Sequence, residues 1–243
     1  MSKETERDAL HRAIWRVAND LRGSVDGWDF KAYVLGFLFY RFISENLTEY
    51  VNAGEREAGD LDFDYRFLSH ADAEGARDGI IQEKGFFIAP GDLFDNARER
   101  APHDENLNET LSRIFKSIEA SATGTGSESD LRGLFDDVDV NSTKLGRTVA
   151  QRNDKLVRLM QAIGDLDLSY GESSIDAFGD AYKFLMTMYA SNAGNFGRQV
   201  LHPAGGQRGA GPHHGHRQGQ RQPRLHSLPR RITQNGNLYK LTS

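Results

Sequence analysis

The apolar residues of this chain recur at three- and four-residue steps over most of its length, a spacing that lines them along one face of an α-helix. Between Glu4 and Leu21 they are Leu10, Ile14, Val17, Ala18 and Leu21, and Gly23 supplies a stop. Asp26 or Asp29 can cap a second helix. Its run Trp28, Phe30, Tyr33, Val34, Leu35, Phe37, Leu38, Phe39, Phe42, Ile43, Leu47 and Tyr50 is apolar over more than half the circumference. A helix of that kind has to be buried on several sides. Its aromatic stripe could receive a partner or stack bases, but at helical spacing plain core packing is the preferred reading, because aromatic side chains dominate core energetics. Gly36 within the run lowers local helix propensity by about 1 kcal/mol relative to Ala and predicts a close helix approach.

After Glu57 the pattern loosens, with Gly59, Gly75 and Gly79 breaking a polar stretch. The alternation Asp62-Phe63-Asp64-Tyr65 fits a short edge strand, a metal loop or, preferably, a charged surface connection, since no further acid follows at ligand spacing. Gly85-Phe86-Phe87-Ile88-Ala89-Pro90 reads as a short strand or extended segment ended by its proline. Asp92-Leu93-Phe94 begins another turn of helix, and Leu107, Leu111, Ile114, Phe115 and Ile118 mark one that stops before Thr123-Gly124-Thr125-Gly126-Ser127. Alternate acids in Asp136-Asp137-Val138-Asp139-Val140-Asn141-Ser142 suggest a calcium loop. The turn glycine is absent, however, and no Glu stands at the closing position, so they are read as a solvated connection. A long helix is predicted from Asn141 or Ser142 to Ile163, with Leu145, Val149, Leu156, Leu159, Met160 and Ile163 on its apolar side. Ser173 or Ser174 then caps a last one, Ile175 to Ser191. The expected fold is all-α: a multi-helix bundle with at most a short strand or hairpin, followed by a disordered C-terminal tail.

Charge divides the chain at Gly197. Residues 1–197 hold 22 basic and 35 acidic side chains, a formal −13, whereas residues 198–243 carry +8, five of the eight histidines and no Asp or Glu. The expected division is a helical bundle over 1–170, a linker helix over 171–197 and a low-complexity basic tail over 198–243. An acidic body argues against non-specific adhesion to nucleic acid. No apolar run reaches the roughly 18 residues of a membrane span, and the charged start Met1-Ser2-Lys3-Glu4 has no apolar segment behind it, so a cytoplasmic location is expected. The chain has no cysteine, which removes disulfides and thiolate metal sites.

Catalytic constellations are missing. No phosphate-cradling Gly loop follows a strand, no His-Glu pair has zinc spacing, and there is no nucleophile elbow. His11, His70 and His103 fall in three different segments. The residues alone therefore yield no catalytic, cofactor-binding or metal-ligating candidates and point to a helical module that mediates interaction.

Two blocks add a resemblance. The run Trp28-Asp29-Phe30-Lys31-Ala32-Tyr33-Val34-Leu35-Gly36-Phe37-Leu38-Phe39-Tyr40-Arg41-Phe42-Ile43-Ser44 resembles the start of the N-terminal helical domain of type I restriction-modification DNA methyltransferase (M) subunits. Gly85-Phe86-Phe87-Ile88-Ala89-Pro90 with Leu93-Phe94, and the stretch from Asp176 to Gly194, look like that family's bundle and its entry into the catalytic domain. The resemblance covers about residues 5–197. It implies a subunit that joins a specificity (S) subunit, a second M subunit and a restriction (R) subunit, and that reaches DNA through the complex. The full-length family member would bind S-adenosylmethionine and methylate adenine N6, with the helical domain contributing subunit contacts and closure around DNA. The catalytic domain, with its cofactor strand and the Asn-Pro-Pro-Phe/Tyr motif that receives a flipped adenine, has no counterpart in this chain. No cofactor is expected here. The alternatives are a free-standing helical interaction or regulatory module and, more weakly, a chain that itself methylates DNA.

A shifted reading frame accounts for the tail. Permitted codons for Gly197 to Gln207, read one base later, give Ala-Gly-Lys-Phe-Tyr-Thr-Pro-Gln-Glu-Val, the continuation that the resemblance leads one to expect. The competing reading is a His- and Arg-rich tail, as in Pro212-His213-His214-Gly215-His216-Arg217, that binds metal or nucleic acid. Sequencing the gene across codons 190–230 and onward distinguishes them: catalytic-domain motifs are expected in the second frame, and their absence there overturns the shift.

Overall fold

A computed structural model of the chain describes residues 3–22, 29–168, 179–181 and 183–184. Seven α-helices are set out among them: α1 (Lys3–Arg22), α2 (Asp29–Glu57), α3 (His70–Lys84), α4 (Phe94–Arg100), α5 (Leu107–Ser121), α6 (Glu128–Leu131) and α7 (Val149–Gly164). Short 3₁₀ turns lie at Tyr65–Phe67, Pro90–Asp92 and Ala101–His103, and residues 179–181 and 183–184 are helical as well. No strand occurs among the described residues, which agrees with the all-α expectation. Most of the helix predicted over 175–191, and the whole tail, lie outside the described residues.

The packing follows from α2. Every residue from Tyr33 to Tyr40 is buried, as are Phe42, Ile43, Ser44 and Leu47, so the helix is enclosed on all sides as its apolar run requires. α1 and α4 pack on it, and α7 reaches α1, α2, α4 and α5. Phe37 meets Phe115 of α5 edge-on at 5.6 Å, and Tyr40 meets both Phe94 and Phe115 edge-on at 5.5 Å. Phe115 in turn stacks on Phe135 at 4.3 Å. Such pairs contribute roughly 0.5–1.5 kcal/mol each beyond the area they bury. The aromatic stripe is core.

Polar groups on α2 bond to the backbone of other segments. Tyr33 Oη donates to the Asp139 carbonyl at 2.6 Å, Tyr40 Oη donates to the Asp92 carbonyl, and Ser44 Oγ accepts from the Phe94 amide at 3.1 Å. Arg41 donates to the carbonyls of Ile163 and Leu166 at 2.7 and 2.8 Å, with Glu45 at 2.6 Å holding its Nε. These carbonyls lie at the C-terminal end of α7, where the helix leaves acceptors open and a cation is favoured. Gly36 is where the chain comes closest. A Cβ built on it would lie 2.4 Å from Val138 Cγ2, so its neighbour is the connection after α6 and not another helix, as the sequence had suggested.

Two elements differ from the expectations, and a third keeps to one of its two readings. The stretch containing Gly75 and Gly79 is a helix, α3, started by Ser69, whose hydroxyl accepts from the Asp72 amide at 3.2 Å, and stopped by Gly85 at φ +81°. Residues 86–89, expected as a short strand or an extended segment, belong to no helix or strand, and Ala89 is extended at φ −61° and ψ 146°. Ser121 Oγ accepts from the Phe87 amide at 2.9 Å, and Tyr65 Oη donates to the Ile88 carbonyl at 2.9 Å. The last long helix begins at Val149 instead of Asn141 or Ser142, because Thr148 and Gln151 form a reciprocal capping box. Leu145 is then buried from a turn, and Val149 is 41% exposed.

Three expected outcomes follow for stability, each read by thermal or denaturant unfolding. Gly36→Ala should destabilise by about 1–2 kcal/mol, the overpacking of about 1–3 kcal/mol outweighing the propensity gained. Gly79→Ala should stabilise by about 0.5–1 kcal/mol, since no atom lies within 4 Å of its Cβ site. Burial and the nearby Asp92 hold the Tyr40 phenol well above its ordinary value, and burial does the same for Tyr65. Both stay protonated in the folded chain after the unfolded chain has begun to ionise, so stability should fall above about pH 10 by about 1.4 kcal/mol per pH unit for each. The double variant Tyr40→Phe/Tyr65→Phe should flatten that decline, and an unchanged slope would show that other groups cause it.

Candidate functional site

Helical periodicity sets up the first candidate surface. α1 turns Leu10, Ile14 and Val17 into the core, which leaves Asp8, Arg12, Trp15 and Arg16 on the opposite side. Trp15 is 43% exposed. His11 lies flat against Phe184, with ring centroids 4.1 Å apart and an interplanar angle of 8°. Together these residues line an open groove of about 530 Å³. His11, read from the sequence as standing alone, is thus brought against the stretch near the end of the described chain. Trp15 was not singled out in the sequence. The available signal was an aromatic residue off the apolar stripe and between two arginines.

The second surface lies between the C-terminal half of α2 and α4. Ser44, Glu45, Thr48, Glu49, Asn52, Arg66, Leu93, Phe94 and Asp95 line a smaller hollow of about 220 Å³. Its charges compensate one another: Glu45 bonds Arg41, Glu49 pairs with Arg56 at 2.5 Å, and Arg66 lies 3.9 Å from Asp95. Phe67, 80% exposed, projects beside it under the Arg66 guanidinium. A third surface runs along α5, where two hollows share Ser112, Lys116 and Asn141.

None of the three joins a nucleophile to a base. His70 opens α3 and His103 ends a 3₁₀ turn, both exposed and apart from His11. No group of three or more His, Asp or Glu side chains among the described residues is placed to hold a metal ion. Two of the acids weighed as metal ligands, Asp64 and Asp139, have structural partners. Asp64 caps the turn that follows it and holds Arg66 Nη2 at 2.7 Å, and Asp139 Oδ1 accepts from the Asn141 amide at 3.0 Å.

The shifted ionisations trace to structural pairings and to burial. Hydrogen bonds from Arg66 lower the Asp64 carboxyl, and those from the Gly124 amide and Arg132 lower Glu128. Asp92 holds both guanidinium nitrogens of Arg113 at 2.7 Å and raises it further. Burial lowers Lys84, whose ammonium sits 4.4 Å above the Tyr50 ring. Pairing within the fold accounts for the shifts of Asp64, Glu128 and Arg113, and burial for that of Lys84. The grooves are suited to recognition.

The HsdM N-terminal domain family matches residues 10–163. The type I restriction enzyme MpnII methylase subunit of Mycoplasma pneumoniae is 46% identical over 211 residues, covering 83% of this chain and 38% of that protein. The crystal structure of the type I restriction-modification system methyltransferase subunit from Streptococcus thermophilus is similar with a TM-score of 0.61 at 28% identity. That similarity covers 76% of this chain and 39% of the other. The chain thus spans less than two fifths of the curated relative's length.

Proposed function

The chain belongs to the HsdM N-terminal domain family, and from that premise we propose that it serves as the subunit-contact and DNA-clamp domain of a type I restriction-modification adenine-N6 DNA methyltransferase subunit, catalytically incomplete as it stands. The observation that carries this reading is the match over residues 10–163, which coincides with a helical body whose reactive groups are already engaged in holding the fold. Its partners would be the specificity subunit, a second methyltransferase subunit and, in the full complex, the restriction subunit. DNA would be reached through that assembly, in the cytoplasm. No helix among the described residues is long and apolar enough to cross a membrane.

S-adenosylmethionine is the cofactor to expect of the full-length relatives. The described residues do not suit it. A nucleoside cofactor of this kind lies across the carboxyl end of a parallel sheet beside a Gly-rich turn, and the described residues form helices and turns with no sheet edge to receive it. Residues 171–197 would lead from the bundle toward the methyltransferase domain, and the basic stretch 198–243 would take no part in catalysis.

Co-expression with a tagged specificity subunit tests the assignment. The chain should co-purify with it in a fixed ratio, whereas a chain that never does is the free-standing interaction module. Titration calorimetry of the chain with S-adenosylmethionine should give no binding heat. A saturable heat would instead make the chain a methyltransferase in its own right.

A further inference from the structure

The C-terminal end of α2 places charge where a helix disfavours it. Glu55 and Glu57 stand in its last turn, at the negative pole of the helix dipole, and Arg56 between them is drawn back to Glu49 at 2.5 Å. The chain then turns at Gly59, whose φ is +103°, and Asp60 and Asp62 follow on either side of Leu61. Every residue from Gly54 to Asp62 is exposed. Glu55, Glu57, Asp60 and Asp62 make no ion pair or side-chain hydrogen bond with any described residue. The loop is nevertheless held in place: the Asp60 amide donates to the Glu55 carbonyl at 2.9 Å, Asn52 Oδ1 accepts from the Tyr65 amide at 2.8 Å, and Tyr65 is fully buried. On this fixed connection Leu61 is 76% exposed and Phe67 80%. Two large apolar side chains and four uncompensated carboxylates turned to solvent bring the fold no gain of their own, and departures of that kind belong to surfaces that another segment covers.

We propose that residues 221–232 of the same chain dock on this loop. The stretch Arg221-Gln222-Pro223-Arg224-Leu225-His226-Ser227-Leu228-Pro229-Arg230-Arg231-Ile232 brings arginines to the carboxylates and Leu225, Leu228 and Ile232 to Leu61 and Phe67, with no acid to repel them. Exposed ion pairs are individually weak, so the contact depends on several acting together with the burial of apolar surface. The tether assists, because a linked segment meets its site at a high effective concentration. Its contour between Phe184 and Arg221 reaches up to about 120 Å, against a diameter of about 40 Å for a body of this size. No partner subunit takes part, so the docking stands or falls independently of co-purification with the specificity subunit.

The chain has no cysteine, so Ser227→Cys accepts a single nitroxide label in the full chain. Amide resonances of residues 55–67 should broaden beyond detection at about 50 mM salt and return at about 1 M, where screening confines charge interactions to about 3 Å. Glu55→Gln/Glu57→Gln/Asp60→Asn/Asp62→Asn should restore them at low salt. Arg221→Gln/Arg224→Gln/Arg230→Gln/Arg231→Gln should do the same without touching the helical body, and Leu61→Ser/Phe67→Ser should restore them in part. Circular dichroism and the unfolding midpoint establish that each variant is folded. Resonances that keep their intensity, broadening spread evenly over the acidic body, or broadening unchanged by the neutralised sets or by the serine pair overturns the proposal. Mixing isotope-labelled chain that lacks the nitroxide with unlabelled chain that carries it should leave the resonances sharp. Equal broadening in that mixture overturns the proposal as well, since the tail would then reach a second copy.

Discussion

The enclosure of α2 is the constraint from which the rest of the bundle follows. A helix apolar on one stripe needs one neighbour, but a helix buried at every position from Tyr33 to Tyr40 needs a wall on each side. α1, α4 and α7 provide helical walls, and the connection after α6 closes the side at Gly36, where only the absence of a Cβ lets Val138 approach. Burying this much aromatic and aliphatic surface stabilises the fold by roughly 1.5–3 kcal/mol per fully buried large side chain. It also obliges each polar atom carried inward to find a partner. Tyr33, Tyr40, Arg41 and Ser44 do so on backbone groups of the segments they touch, and these bonds fix where those segments end or turn. Arg41 illustrates the coupling: its charge is tolerable at such depth because Glu45 and the terminal carbonyls of α7 surround it, and α7 in turn has its open end closed.

That arrangement explains how the candidate surfaces relate to the interior. Residues that look chemically capable in isolation, such as the acids around Asp64 and Asp139 or the buried tyrosines, are engaged in caps and turns. The exposed faces of α1, α2 and α5 keep side chains whose positions are set by the core. Rigid placement of surface groups by a packed interior favours recognition, since a binding face that is already ordered loses little conformational freedom on association.

How legible this was in the sequence depended on how each element is stabilised. α1, α2 and α5 announce themselves because burial of a periodic stripe holds them together, and a stripe is a pattern in sequence. α3 buries only Ala73, Ile80 and Lys84 and contains two glycines, so its stripe is too thin to see; it depends on Ser69 at one end and Gly85 at the other. The start of α7 was misplaced for a related reason. Leu145 keeps the helical spacing of the residues after it but is buried from a turn, and the capping box of Thr148 and Gln151 outweighs periodicity in deciding where the helix begins. Gly36 was correctly expected to mark a close approach, although the partner, distant in sequence, was not readable. The groove on α1 was hidden more thoroughly: it needs Phe184 brought beside His11, a contact across 173 positions that no local pattern records.

The same physics separates what identifies this chain from what it does. The block from Trp28 to Ser44 carries part of the family resemblance, and its described side chains from Tyr33 onward are almost all in the core. A core tolerates few changes of volume or polarity, because each substitution there leaves a cavity, a clash or an unpaired polar group. A resemblance carried by such residues conveys the fold. Arg12, Trp15 and Arg16 face away from that core. What holds them in register is the burial of Leu10, Ile14 and Val17 on the opposite side of the same helix. A binding face of this kind can change its chemistry while the helix beneath it stays the same, so membership in the family fixes the scaffold and leaves recognition to be read from the surface of the individual chain.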